Sequence, residues 1–388
     1  MVARRLRVFF CTAAFPAVAP GAGRGYSLAA NERRVNPLVS LTSAESVPNH
    51  SADRLKPVRV WLYVMALMVL AMVIVGGITR LTDSGLSIVE WKPISGIIPP
   101  LTDTEWQAEF EAYQQIPQYQ VLNQGMTLAE FKYIFFWEWF HRALGRLLGF
   151  AFAVPFLVFL AQRRFSWDLA APLAGLFVLG GFQGVLGWWM VTSGLSELTS
   201  VSQYRLAAHL SAALLLLLAL IWVARRLSPA QPVPQDGDRA AAWLLLLLVI
   251  VQIVAGAFVA GLDAGLGYNT WPLMDGALVP EGLMEMTPWW KNLFESGLTV
   301  QFIHRTIAYV IVLYVAALWL WKRGAGGFAG ANGWLPRVAL LVLLQMVLGI
   351  ATLVMIIPLP LALGHQALAF MLAGAIMAWL ADITPRKA

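Results

Sequence analysis

The sequence predicts an all-α integral membrane protein in which eight transmembrane helices form two pseudo-symmetric four-helix bundles. Three observations predict it. Hydrophobic residues fill 59% of the 388 positions and charged residues only 12%, where soluble domains carry about a quarter charged, and the mean hydropathy is +0.68. Nearly uncharged runs of about 20 residues, enough for a helix to cross a bilayer, recur along the chain. The second half of the sequence also echoes the first.

Residues 1–58 read as a polar tail, rich in Arg, Ala and Ser and poor in acids before Glu32. That composition suits a transit peptide, and equally a bacterial cytoplasmic tail or an over-called start. His50 falls in this tail and reads as a surface residue. Cys11 is the single cysteine, so no intrachain disulfide or thiolate metal cage can form.

The first bundle, 59–224, takes its spans from 60–77, 134–160, 169–192 and 204–224. A linker, RRLSPAQPVPQDGDR at 225–239, has the Pro, Asp and Gly content of an exposed connection. The second bundle, 240–388, takes spans from 240–261, 298–321, 335–357 and 362–381. Most acids fall in the gaps 78–133, 193–203, 262–297 and 358–361, whereas Arg163, Arg164, Arg225, Arg226, Lys322, Arg323, Arg337, Arg386 and Lys387 fall on the other side. By the positive-inside rule both termini face the cytoplasm or the matrix. The pI of about 9.6 follows from this topology and does not imply nucleic-acid binding.

The gap after the first span begins TRLTDSGLSIVEWKPISGIIPP (79–100), with the Gly, Pro and Trp of an ordered interfacial turn. It continues into DTEWQAEFEAYQQI (103–116), where Trp106, Phe110 and Tyr113 recur at helical spacing and predict an amphipathic helix lying on the membrane or covering a site in the first bundle. GLDAGLGYNTWPLMDG (261–276) is the matching loop of the second half.

The repeat is legible in pairs. GGITRLTDSGLS (76–87) is echoed by GAFVAGLDAGLG (256–267), WFHRALGRLLGF (139–150) by FIHRTIAYVIVL (302–313), FQGVLGWWM (182–190) by LQMVLGIAT (344–352), and RLAAHLSAALL (205–215) by LALGHQALAFM (361–371). An even number of spans per repeat keeps both halves in one orientation, related by an axis along the membrane normal.

Four of the five histidines, His141, His209, His304 and His365, lie in the second and fourth span of each half. One histidine in a membrane helix is commonly a hydrogen-bonded packing residue. Four at repeat-related positions and similar depth point instead to two facing imidazoles per bundle, the arrangement that holds a haem iron axially. Zinc sites want more ligands, and di-iron bundles want Glu-x-x-His twice; here Glu138 and His141 give that spacing once, and Gln301 and His304 replace it in the second half. Arg142 and Arg305 follow the histidines and either pair with haem propionates or snorkel to headgroups. Glu138 shares a helix face with His141, which places a carboxylate in the first pocket only; it is also four residues before Arg142 and suits a plain ion pair. The asymmetry assigns chemistry to the first half and electron transfer or support to the second.

From about residue 59 to the C-terminus the sequence resembles the haem A synthase family of cytochrome oxidase assembly, in the form shared by alphaproteobacteria and mitochondria. GGITRLTDSGLSIVEWKP (76–93), EWFHR (138–142), the AAHL histidine at 209, YNTWPLMDG (268–276), QFIHR (301–305) and GHQ (364–366) carry the resemblance. The resemblance implies oxidation of the ring-D methyl of haem O to a formyl group through successive hydroxylations and loss of water from a geminal diol. It implies haem O between His141 and His209 with Glu138 as catalytic carboxylate, and haem b on His304 and His365. Arg142, Arg305 and Arg80 are expected as propionate or interface partners. The outer-loop cysteine pair of some bacterial members is missing here. Expected partners are haem O synthase, cytochrome oxidase assembly factors and the lipid bilayer, with no nucleic acid, and the chain admits a homo-oligomer. The expected location is the bacterial inner membrane, with the mitochondrial inner membrane as alternative. Two rivals use the same residues differently: a dihaem b-type electron-transfer cytochrome would need the four histidines but no one-sided glutamate, and a two-repeat transporter would need the duplication but not the histidines.

Overall fold

The computed structural model describes residues 50–92, 95–196, 198–228, 237–324 and 333–385. Eight helices among them are long and apolar enough to cross a membrane, and β-structure among the described residues amounts to one isolated bridge, Met274 with Ala277. The first-half spans are α1 (His50–Leu81), α4 (Leu128–Ala161), α5 (Trp167–Val191) and α6 (Gln203–Arg226), with α2 (Asp103–Tyr113) and α3 (Pro117–Leu122) between α1 and α4. The second-half spans are α7 (Gly237–Gly261), α9 (Gly297–Gly324), α10 (Trp334–Val354) and α11 (Leu359–Ile383), with the single turn α8 (Asn292–Glu295) before α9. Residues 1–49 of the expected tail and 229–236 of the expected linker lie outside the described residues; α1 starts at His50, ahead of the tail boundary at 58.

Local chemistry sets the ends. α4 starts six residues before the expected 134 because Thr127 and Glu130 form a reciprocal capping box, which satisfies two otherwise orphaned N–H groups. The helix expected over 103–116 begins at the Thr102 and Glu105 box but stops at Tyr113, since a residue ahead of proline disfavours the α conformation and Pro117 opens α3 instead. After α1 and α7 the chain turns through left-handed aspartates, Asp83 (φ 51) and Asp263 (φ 50), a conformation that Asp adopts more readily than most residues. These two turns are the repeat expressed in backbone geometry.

Burial separates a central layer from a peripheral one. The apolar windows of α1, α7, α11 and α6 are 44, 39, 39 and 33% buried, whereas those of α5, α9, α10 and α4 are 17, 17, 11 and 6%. The core is accordingly built by Leu62 and Met65, Leu217 and Leu220, Leu245 and Leu246, and Phe370 and Ile376 of the central four. Outward faces carry Leu67, Phe150, Val178 and Leu313, all exposed, as lipid-facing surface requires. α6 packs on α7 and α11 on α1, two contacts related by the repeat, and α6 packs on α11.

Polar links join the halves at both ends. Arg80 donates to Asp263 Oδ1 (2.8 Å) and to the Ala260 carbonyl (3.0 Å) at the end bearing α2 and α3. At the opposite end Arg225 pairs with Asp382, which also accepts from Trp334 Nε1 (2.9 Å), and Arg226 donates to the Thr384 carbonyl.

Candidate functional site

His209, His304 and His365 sit at the seventh or eighth residue of α6, α9 and α11, and His141 at the fourteenth of α4. The rings of His304 and His365 face each other, their centroids 6.3 Å apart and their planes at 81°. A metal–imidazole bond is about 2 Å and a ring nitrogen lies about 1.1 Å from the ring centre when ring bonds are near 1.33 Å, so two imidazoles on one iron stand roughly 6 Å apart. The 6.3 Å separation of the second-half rings matches that spacing. In the first half His141 lies against Gly76 of α1 and His209 against Gly187 of α5. All four remain only partly buried although they sit inside the helical bundle. Among the described residues no cluster of three or more His, Cys, Asp or Glu could form a multi-ligand metal cage. Two open clefts, one beside Tyr268 and Glu285 and one beside Ser193 and Arg205, touch none of the histidines.

Each imidazole lies against a glycine of a neighbouring helix. A methyl on Gly76 of α1 would stand 3.1 Å from His141 Nε2, one on Gly256 of α7 3.0 Å from His304 Cε1, and one on Gly349 of α10 2.7 Å from His365 Cε1. Gly187 of α5 is the loosest, 3.5 Å from His209 Cε1. Contact between unbonded carbons is comfortable at about 3.5–4.0 Å, so three of these positions admit no side chain unless the ring moves. One turn before three of the glycines stands a glutamine. Gln252 Nε2 lies 3.3 Å from His304 Nε2 and donates to the His304 carbonyl (2.9 Å); Gln345 Nε2 lies 3.1 Å from His365 Nδ1 and donates to the His365 carbonyl (3.0 Å). The sequence reading passed over these residues. The signal was present as Gln-x-x-x-Gly at 183–187, 252–256 and 345–349, but helical spacing alone does not say which helix those faces meet.

Glu138 is 2% exposed and both its oxygens are engaged. Oε1 accepts from Arg142 (2.6 Å), and Oε2 accepts from Ser87 Oγ and the Ile88 N–H (2.8 Å each). Arg142 also donates to the carbonyls of Ile88 (3.0 Å) and Glu90 (3.3 Å) and lies over the Trp91 ring. The ion pair expected as one reading is present, and it is part of a socket that clamps residues 87–90 onto α4 one turn from His141. Its counterpart, Gln301, is also 2% exposed and performs the same task with reversed polarity, donating to the Ala264 (2.9 Å) and Gly267 (2.8 Å) carbonyls. Arg305 donates to the Thr270 carbonyl (2.7 Å) and keeps a buried Nη1 without a partner among the described residues. Arg80 is drawn to Asp263 across the halves, as described above.

α2 and α3 cap the first half. Phe110 and Tyr113 pack with Phe131, Phe135, Leu86 and Ile88, so the amphipathic segment is bonded to the end of α4 and to the very loop that Glu138 holds. Gln118 ties it further, accepting from Tyr113 Oη (3.0 Å) and donating to the Asp83 carbonyl (3.1 Å). Burial pushes the Tyr113 phenol above its ordinary range. The Leu101 and Thr102 N–H groups hold the Glu105 carboxyl below the usual carboxylate range.

Residues 59–377 match the family model described as cytochrome oxidase assembly protein. Relatives called heme A synthase include those of Chelativorans sp. (strain BNC1), 54% identical over 82% of this chain and 88% of the relative, Parvibaculum lavamentivorans, 53% over 81% and 90%, and Azorhizobium caulinodans, 52% over 86% and 95%. The chain belongs to the haem A synthase family of cytochrome oxidase assembly proteins.

Proposed function

We propose that this member of the haem A synthase family is a multi-pass membrane oxidoreductase that converts the ring-D methyl group of haem O to the formyl group of haem A. The observation that supports the reading is the close His304–His365 pair in one half of the chain, with His141 and His209 at the repeat-related positions of the other half and a buried carboxylate, Glu138, one turn from His141 only. High identity to heme A synthases along most of both chains supports the reaction.

In this reading His141 and His209 hold the substrate haem, and His304 and His365 hold haem b. Haem b, held by His304 and His365, would supply one-electron transfer. The chain's own contribution is placement. Arg142 and the Ser87 and Ile88 donors hold both oxygens of Glu138 in one orientation, one turn from His141, where its carboxyl would take part in proton transfer as the methyl is oxidised. The α2 and α3 cap, bonded through residues 84–88, limits water at that end of the first pocket. Arg305, with its free Nη1, suits a propionate; Arg142 acts through the loop it clamps, and Arg80 through the joint between the halves. The bacterial inner membrane suits the protein, with haem O synthase delivering substrate, assembly factors accepting product and both termini on the cytoplasmic side.

Pigment analysis tests the proposal. Detergent-purified protein should release haem b together with haem O or haem A on extraction. Haem b alone would point to an electron carrier, and a protein without haem would dismiss both readings.

A further inference from the structure

The arginines that follow His141 and His304 are engaged differently. Arg142 is committed to the protein: it donates to Glu138 (2.6 Å) and to the carbonyls of Ile88 (3.0 Å) and Glu90 (3.3 Å), and its guanidinium lies over the Trp91 ring. Arg305 faces the neutral Gln301 in place of a carboxylate and keeps a buried Nη1 without a partner among the described residues. The second half thus holds a free cationic donor next to its histidine, whereas the Glu138 carboxylate draws the matching arginine away in the first. A different donor is free there. Trp137 Nε1 is buried and unpartnered among the described residues, although the next tryptophan, Trp139, donates to the Ile97 carbonyl (3.1 Å). In the repeat the place of Trp137 is taken by Val300, which is 2% exposed and has no side-chain donor.

Two registers place Trp137. It stands four residues before His141 on α4, so the two side chains share a helix face. α1 repeats the spacing: Gly76 lies against the His141 ring, and Thr79, one turn on, reaches the Trp137 carbonyl (3.4 Å). The indole therefore sits one turn from the imidazole, toward the end of the bundle bearing α2 and α3. A tryptophan at a membrane surface gives its N–H to the wet headgroup region, which a buried N–H does not reach. An indole N–H is a donor only, and a buried donor without a protein partner calls for an acceptor from elsewhere. We propose that Trp137 is a substrate-binding residue whose Nε1–H bonds a propionate carboxylate of the haem held in the first half. The proposal rests on the assignment of haem O to that half. Haem carries both its carboxylates on one edge of an otherwise apolar macrocycle, and Trp137 supplies the bond that Arg142, held by Glu138, does not.

The test is retention of pigment, independent of turnover. Protein purified in detergent with its haem b is loaded with haem O or with haem O dimethyl ester and challenged with excess apomyoglobin. The pigments left on the protein are separated by chromatography, so haem b is followed on its own. W137F keeps an aromatic ring beside Phe136 and Phe140 but removes the N–H. It should release haem O about 10–100-fold faster than wild type, the range for a hydrogen bond to a charged group, and release haem b at the wild-type rate. The dimethyl ester has no carboxylate and should leave W137F and wild type equally fast. Equal release of haem O from both proteins, the same acceleration for the ester, or loss of haem b together with haem O overturns the proposal and leaves the synthase reading intact. If H209A, which removes a first-half ligand, retains haem O as wild type does, the assignment of haem O to that half fails instead.

Discussion

If His304 and His365 hold haem b as proposed, replacing Gly349 by Ala should cost the second half its haem without unfolding the protein. The new methyl would stand 2.7 Å from His365 Cε1, so the ring must retreat by about 0.8 Å to reach ordinary contact. Metal sites tolerate displacements of only about 0.2 Å from ideal ligand distances, several times less than the shift imposed. The cost to the fold is smaller. Overpacking a core costs about 1–3 kcal/mol, and Ala in a helix interior returns about 0.8–1.0 kcal/mol relative to Gly, against a total stability of about 5–15 kcal/mol. Purified G349A should therefore be monodisperse and helical by circular dichroism but retain little haem b per polypeptide, measured by pigment extraction. G187A is the matched control: its methyl meets His209 Cε1 at 3.5 Å, an ordinary contact, and its haem content should stay near wild type. Wild-type haem b in G349A, with an unchanged low-spin spectrum, would refute both the ligand assignment and the packing argument.

Three other outcomes follow from the loop clamps and the cap. E138Q should keep both pigments yet stop haem A formation; one of its side-chain positions becomes an N–H group facing a donor, which costs about 1.5–3 kcal/mol and should raise exchange of the Ile88 amide by hydrogen–deuterium mass spectrometry, so full turnover would reduce Glu138 to an ion-pair partner. Q301E should behave worse in stability than in pigment chemistry, because it sets carboxylate oxygens against the Ala264 and Gly267 carbonyls and forfeits two buried bonds, each worth about 1–3 kcal/mol when left unmade; a melting temperature equal to wild type would contradict the clamp. For Glu105 the carboxyl is held below its ordinary value of 4.5 by backbone N–H groups, so its support of the α2 start is present above that value and is lost as pH falls through the lower folded value; protection factors of the Leu101 and Thr102 amides should drop over that acid window in wild type and stay low at every pH in E105A.

Much of the site was written in the chain as pattern. Four histidines in the second and fourth span of each half, the arginines after two of them, and the Glu138 and Gln301 difference need only a repeat and a helical period to be seen. What Glu138 does with its two oxygens was not readable, because its partners Ser87 and Ile88 are some fifty residues away on a loop whose path depends on the packing of α2 and α3. Arg80 shows the same limit: the resemblance makes it a propionate or interface partner, while its actual anchor, Asp263, lies in the other half.

The sequence by itself determined the membrane class and the number of spans, and showed the internal echo and the candidate ligands, since hydropathy, length and spacing are properties of a chain segment. Only the tertiary structure decided that α1, α6, α7 and α11 form the central layer, that glycines set the room for each imidazole, and that Gln252 and Gln345 reach the rings of His304 and His365. Those facts depend on which face of one helix meets which face of another, and that is settled by packing between residues distant along the chain.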